Sequence, residues 1–210
     1  MKKKNKVSNT NAKDFFYTIE KESFVELKDR GSRFLAYAFP VNNKDEFRMR
    51  LNQLKEEHPK AVHHCFAYRI GTDGNHFRSS DDGEPSGSAG RTILRQMDTK
   101  ELTNAAIIVV RYFGGTLLGV PGLTNAYKTA ASFSIQLTAV VKKPVLIIYR
   151  LHFDYSILNE VMMVIKKYNC IVLKQDMQLF CLMETGIPKA NLGDCLLKLK
   201  NYPNVEISLI

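Results

Sequence analysis

Two glycine-rich segments contain the residues of this sequence that are best suited to bind a ligand. The first reads SSDDGEPSGSAGRTIL over residues 79–94, and the second reads VVRYFGGTLLGVPGLTNAYKTAA over residues 109–131. In both, glycines precede a stretch with helical spacing, so backbone N–H groups would be free at the positive end of a helix. This arrangement favours phosphate or another anion. We expect the two segments to build one working surface.

The candidates for binding phosphate or nucleic acid combine hydroxyls, glycine backbone, cations and an aromatic ring that could stack on a base. They are Ser86, Gly87, Ser88, Gly90 and Arg91 in the first segment, and Arg111, Tyr112, Gly114, Gly115 and Lys128 in the second. The alternative is structural: a capped helix with a tight turn in the first segment, and core aromatic residues in the second. Neither the P-loop pattern nor the dinucleotide fingerprint is present.

Acidic and histidine side chains accompany the first segment. Asp81, Asp82 and Glu84 would repel a phosphate unless they pair with arginine, cap N–H groups or bind a metal. With His63 and His64 they could form a cation site, although successive strand residues point to opposite faces, so at most one histidine enters easily. We predict no metal and no cofactor.

The sequence contains no recognisable catalytic constellation, so whether the chain is an enzyme stays open. Ser86 and Ser88 lack a nucleophile-elbow motif, and no cysteine has an identifiable histidine partner. The four cysteines are scattered, which predicts buried thiols rather than a zinc site or a disulfide framework; they are Cys65, Cys170, Cys181 and Cys195.

The composition is that of a folded, basic protein. Hydrophobic residues make up 45% of the chain and charged residues 24%, with a formal net charge of +9. A polyanion such as RNA is a plausible partner, against the alternative of a solubilising charge. No apolar run reaches the roughly 18–20 residues of a membrane span, and no secretory signal follows the N-terminal lysines. We expect a cytoplasmic protein with no membrane partner.

The elements that would position the two segments lie in the first part of the chain. Asn43 is expected to cap a helix that ends at His58, residues 71–90 read as a long functional loop, and Pro121 opens a long helix. A short helix is expected at residues 92–96. Strands are expected at residues 15–20, 23–28, 33–41, 64–70 and 105–111, the last of them central because it is apolar throughout.

From residue 143 the pattern changes to β-α-β-β-α-β, the order of a ferredoxin-like unit. The turn-prone Lys-Lys-Pro segment within residues 141–144 marks the boundary. We therefore predict an α+β protein with a basic flexible tail over residues 1–14, a first domain over 15–140 and a ferredoxin-like domain over 144–210.

The two segments, together with EHPKAVHHCFAYRIG over residues 57–71, resemble the motifs of the YigZ/IMPACT family in the same order. The resemblance implies that the first domain has the IMPACT N-terminal fold, similar to the second domain of ribosomal protein S5 and the fourth domain of elongation factor G. The last part resembles the fifth domain of that factor. The second motif departs from the usual G-x-G-G-L-x-[RK]-A-Y by one glycine and one cation, and Lys128, one turn further on, could replace the charge.

The resemblance implies a translation-associated regulator or a protein that binds RNA or the ribosome. Two alternatives stay open. One is an enzyme or small-ligand protein that binds a phosphorylated substrate or a metal at the glycine-rich loops. The other is a protein-interaction module, as in the eukaryotic relatives, which regulate translation under amino-acid stress through protein partners.

Overall fold

A computed structural model describes residues 13–210 of the chain, so nearly all of the predicted tail, residues 1–12, lies outside the described part. Two compact units are formed, one by residues 16–143 and the other by residues 144–210 together with residues 13–15. No helix of the described residues is long and apolar enough to cross a membrane.

The first unit is built on a five-stranded antiparallel sheet with the order β2-β3-β6-β4-β5, accompanied by a two-stranded ribbon of β1 and β7. Its elements in chain order are β1 (Phe15–Ile19), β2 (Ser23–Asp29), β3 (Ser32–Pro40), α1 (Lys44–Glu57), β4 (His63–Ile70), β5 (His76–Ser80), α2 (Gly90–Thr99), β6 (Ala105–Tyr112), α3 (Gly119–Gln136) and β7 (Val140–Pro144).

Strand β6 is the central strand of this sheet, as its uniform apolarity predicted. The strand is apolar throughout because helices cover both faces of the sheet. Ile107 and Val109 face one core with α2 and α3, whereas Ile108 and Val110 face a second core with α1. The sheet therefore separates two surfaces, and neighbouring residues of one strand reach different ones.

The start and end of α1 agree with those predicted from the sequence. The side chain of Asn43 accepts hydrogen bonds from the backbone N–H groups of Asp45 and Glu46 at 3.0 and 2.9 Å, and His58 is the C-terminal cap. Helix α3 begins two residues before Pro121, which still lies in the first turn, where an N–H has no helical partner.

Two expectations about irregular structure were wrong. Residues 71–90 are not one long loop, because β5 lies within them and pairs with β4. The sequence pattern did not indicate this short strand, because Gly, Ser and Asp residues flank it. The Lys-Lys-Pro boundary is not a turn either, since it belongs to β7, which begins with two β-branched valines and pairs with β1.

The second unit has the predicted β-α-β-β-α-β order, with a short 3₁₀ turn before each helix. Its sheet is antiparallel with the order β11-β8-β10-β9, and side chains of both helices pack with Leu151 and Met183 in one core. The elements are β8 (Leu146–Asp154), α4 (Leu158–Lys167), β9 (Ile171–Met177), β10 (Phe180–Pro188), α5 (Leu192–Lys200) and β11 (Val205–Leu209).

Candidate functional site

The two glycine-rich segments meet in the first unit and line one pocket of about 460 Å³. The first segment contributes Glu84 and Pro85, and the second contributes Arg111, Phe113, Leu117, Leu118, Gly119, Val120 and Leu123. Val62 and His63, at the start of β4, complete the wall. The sequence correctly identified both segments as parts of one surface.

A buried ion pair forms the floor of the pocket. Arg111 Nη1 donates to Glu84 Oε1 at 2.7 Å, and the two residues are only 5% and 7% exposed. The hydroxyl of Tyr127, on α3, donates to the same oxygen at 2.8 Å. A buried carboxylate needs such partners, because desolvation of an unpaired charge is costly. Arg111, a candidate phosphate-binding cation in the sequence, is thus paired with Glu84 in the structure.

The remaining contacts of Arg111 fix the guanidinium in place. Nη2 donates to Ser32 Oγ at 3.4 Å. The central carbon of the guanidinium lies 5.4 Å from the centre of the Phe34 ring and 5.7 Å from the centre of the Phe113 ring. Its buried Nε has no hydrogen-bond partner among the described residues. Ser32 was not predicted, since its role depends on the pairing of β3 with β6, which no local pattern reveals.

Gly114 allows the second segment to approach the β2–β3 turn. A side chain at this position would overlap the carbonyl carbon of Gly31, which itself has φ 79°. The N–H of Gly114 donates to Ser32 Oγ at 3.2 Å. Gly114 therefore serves close backbone packing beneath the pocket.

Tyr112 does not share the site of Arg111, because successive residues of a strand face opposite sides. Its hydroxyl bonds to Nδ1 of His58 at 3.0 Å, and Nε2 of that histidine bonds to the hydroxyl of Tyr37 at 2.8 Å. The aromatic ring at the pocket is instead that of Phe113, which is 50% exposed.

The anion at the start of α2 is the chain's own carboxylate. Asp81 accepts hydrogen bonds from the N–H groups of Gly87, Ala89 and Gly90 at 2.9, 3.0 and 2.8 Å. The hydroxyl of Ser88 is buried and donates to the carbonyl of Pro85 at 2.6 Å. An external phosphate would have to displace Asp81. The other predicted anion ligands, Ser86, Arg91, Gly115 and Lys128, are exposed and do not line the pocket.

Asp82 holds the first segment against β4. Its carboxylate accepts the backbone N–H of His64 at 2.7 Å, and its carbonyl accepts Nδ1–H of His63 at 2.8 Å. Nε2 of His63 then carries no proton in the neutral ring, and it lies 3.9 Å from Glu84 Oε1. His64 does not line the pocket, and burial lowers its pKa.

Neither a metal cluster nor an activated thiol is present in this region. No group of three or more His, Cys, Asp or Glu side chains within residues 13–210 is placed to hold a metal ion. The thiol of Cys65 lies within hydrogen-bonding distance of two acceptors, the carbonyl of Asp81 at 2.9 Å and the hydroxyl of Tyr127 at 3.3 Å. Burial raises the pKa of this thiol far above its ordinary range, so it is not a ready nucleophile.

The rim of the pocket is apolar and exposed. Leu117 is 84% exposed, and the exposed side chains of Val62, Phe113 and Val120 surround the same opening. The site thus places a neutralised polar floor beneath an apolar mouth, an arrangement suited to holding an apolar group rather than a phosphate.

Comparisons with known proteins agree with the sequence motifs. The family model of the Impact N-terminal domain matches residues 30–135. An IMPACT family member of Haemophilus influenzae is 34% identical over 165 residues, covering 77% of this chain and 80% of that protein. A crystal structure described as that of a hypothetical protein is 26% identical, covers 94% of this chain and 98% of its own, and has a TM-score of 0.72.

A solved structure described as the two-domain translational regulator Yih1 is 26% identical over 58% of this chain and 47% of that chain, with a TM-score of 0.35. The domain match spans half of the sequence and includes both glycine-rich segments. This chain therefore belongs to the IMPACT family.

Proposed function

We propose that this chain is a translation-linked regulator that acts by binding a protein partner at the pocket between the two glycine-rich segments. The observation that carries the proposal is the apolar rim above a floor whose charges are already paired. Exposed apolar patches bordered by polar residues are typical of protein–protein contact sites. The link to translation rests on membership in the IMPACT family.

The partner is expected to insert a large apolar or aromatic side chain beside Leu117 and Phe113. Such anchors dominate the affinity of protein interfaces when they fill a pocket that excludes water.

A phosphate-binding function at this pocket has less support. The N–H groups at the start of α2 already bind Asp81, and the guanidinium of Arg111 already binds Glu84. A site that must bring in a polyanion would leave such donors free. Catalysis on a phosphorylated substrate has no supporting residue arrangement at the pocket.

The finer fold assignments are part of this proposal. We assign the first unit to the type seen in the second domain of ribosomal protein S5, and the second unit to the ferredoxin-like type, which its strand order supports. We also assign the protein to the cytoplasm, in agreement with four free cysteines, because thiols persist in reducing compartments.

Site-specific photo-crosslinking tests the partner's nature. A photoreactive amino acid in place of Leu117 should give a protein adduct in cells that survives nuclease treatment. The matched control is the same replacement at Leu197 on α5, which is 70% exposed but lies in the other unit. A nuclease-sensitive adduct, or equal adducts at the two positions, would count against the proposal.

A translation extract tests the consequence. Purified wild-type protein should change the yield of a reporter, and Leu117→Asp should need at least about ten times more protein for the same effect, because a buried charge opposes insertion of an apolar anchor. Leu197→Asp should behave like the wild type. An inert wild-type protein would refute the link to translation, whereas equal potency of all three would refute the role of the pocket.

A further inference from the structure

A second concave surface lies between α1 and β5, on the opposite face of the sheet from Arg111. It encloses about 480 Å³ and has an aromatic floor that includes Phe47 and Tyr68. Its walls carry Lys44 and Arg48 from α1, and His76 and Arg78 from β5. We call these four residues and their floor the basic groove.

The cations of the basic groove face the same space. Arg78 stands opposite Tyr68 in the β4–β5 pairing, so both side chains lie on the face that α1 covers. Lys44 and Arg48 are four residues apart, which places them on one side of α1, separated by about 6 Å along its axis. Cations from a helix and a strand therefore border one channel.

The charge in the basic groove is largely uncompensated. No Asp or Glu lines it, and no carboxylate of residues 13–210 forms an ion pair with Lys44 or Arg78. Arg48 pairs with Asp45 at 3.3 Å, but both side chains are highly exposed, so solvent and salt weaken this pair. The groove is thus the opposite of the pocket between the glycine-rich segments, where the buried charges are paired.

The groove is open along the edge of the sheet. Phe77 lies next to Arg78 on β5, so its side chain faces the other side of the sheet, where the guanidinium of Arg69 lies 4.8 Å from the centre of its ring. Because β5 is the edge strand of the sheet, no further strand covers it. A basic channel over an aromatic floor is a combination with which proteins contact bases and follow the backbone of single strands.

We propose that the basic groove binds single-stranded nucleic acid, with Lys44, Arg48 and Arg78 on the phosphates. This site is separate from the pocket proposed for a protein partner, and it goes beyond that function. It also places polyanion binding away from the helix starts that the sequence had indicated.

Fluorescence anisotropy with a labelled 12-nucleotide single-stranded RNA, measured over a salt series on the full chain, tests the proposal. The double substitution Lys44→Gln and Arg78→Gln should weaken binding at least about tenfold at low salt. It should also reduce the slope of log affinity against log salt by about 1.4, because each phosphate that a cation neutralises on a single strand contributes about 0.7. Both residues are exposed, so the fold should persist, as circular dichroism will check.

The matched control removes two cations elsewhere in the same unit. Arg91→Gln with Lys128→Gln changes the net charge equally and retains the lysines near the N-terminus, so affinity should stay within about twofold of the wild type. Equal losses in both double variants, no binding by the wild type at low salt, or complete competition by an equal concentration of a mononucleotide would overturn the proposal.

Discussion

Glu84 is the residue that joins the two glycine-rich segments. One of its oxygens accepts hydrogen bonds from Arg111 on β6 and Tyr127 on α3, so one side chain links a loop, a strand and a helix. The sequence identified Glu84 and Arg111 but assigned them separate roles. Tyr127 was missed, because nothing in its neighbourhood distinguishes a core tyrosine from one that hydrogen-bonds a buried carboxylate.

Removal of the Arg111 guanidinium should leave the buried carboxylate of Glu84 without its ion-pair partner. Arg111→Met is expected to lower the free energy of unfolding of the first unit by about 3–5 kcal/mol. The control Arg33→Met breaks the more exposed pair with Glu26, at 2.7 Å, and should leave this free energy almost unchanged, because exposed ion pairs contribute little. Hydrogen exchange of amides in residues 16–143 at rising urea measures both values. Similar losses in the two variants would show that the buried pair has no special role.

Acid should weaken the first unit through His64. Burial lowers the pKa of this residue below its ordinary value of 6.5, although the Asp82 carboxylate acts in the opposite direction. Below pH 6.5 the unfolded chain therefore binds a proton that the folded chain resists, and stability falls as the pH decreases. His64→Gln should lose less stability than the wild type between pH 7.5 and 5.5 in the same exchange assay. Parallel pH profiles would contradict this.

At the level of elements, Asp81 organises the turn between β5 and α2. Its carboxylate caps α2 from nine positions before Gly90, a distance at which no capping pattern would be sought. The glycines, which indicated an anion site, indeed place N–H groups around a negative charge. The sequence also offered the capping of N–H groups as a role for these carboxylates, and the contacts of Asp81 agree with that alternative.

Asp81→Ala should open this site to external anions. Three N–H groups lose their acceptor, so we expect a loss of about 2–4 kcal/mol in unfolding free energy. Sulfate at millimolar concentration should restore part of the melting temperature of the variant and raise that of the wild type much less. Asp73→Ala, which removes a carboxylate that accepts the N–H of Asn75 in an exposed loop, is the control and should gain no such response. Equal sulfate effects in all three proteins would contradict the capping role.

Two glycine-to-alanine substitutions should have opposite effects. Gly114→Ala would force the second segment away from Gly31. It should either prevent folding of the first unit or lower its free energy of unfolding by more than about 3 kcal/mol. Gly193→Ala, in α5, meets no neighbouring atom and should stabilise the second unit by about 0.5–1 kcal/mol. Thermal unfolding with exchange readout of each unit tests both. A well-folded Gly114→Ala protein would show that the close approach is dispensable.

At the level of the whole molecule, each unit has cores of its own. Ile108 lies in a core of the first unit and Leu151 in the core of the second. A cavity made by Leu151→Ala should cost about 2–5 kcal/mol and increase amide exchange first in residues 144–210. Ile108→Ala should do so first in residues 16–143. A uniform increase along the chain in either variant would show that the units unfold as one.

The sequence predicted well what depends on local periodicity. The apolar run of β6, the Asn43 cap and the β-α-β-β-α-β order were all confirmed. It predicted poorly what depends on cross-strand register. Which face Arg111 and Tyr112 would reach, and which carboxylate would meet which arginine, are set by pairing between distant segments. The basic groove could not be predicted for the same reason, since its cations come from α1 and from a strand that the sequence pattern presents as loop.

The ribbon of β1 and β7 has a consequence for how this fold can be reused. It brings the entry and the exit of the first unit side by side, and the N–H of Glu20 donates to the carbonyl of Ala139 at 2.9 Å across the two ends. A module whose ends are neighbours can be cut out, transplanted or inserted into the loop of a host protein without stretching either chain. Residues 16–143 are thus a natural cassette, which offers a direct way to graft the pocket and the basic groove together onto an unrelated scaffold.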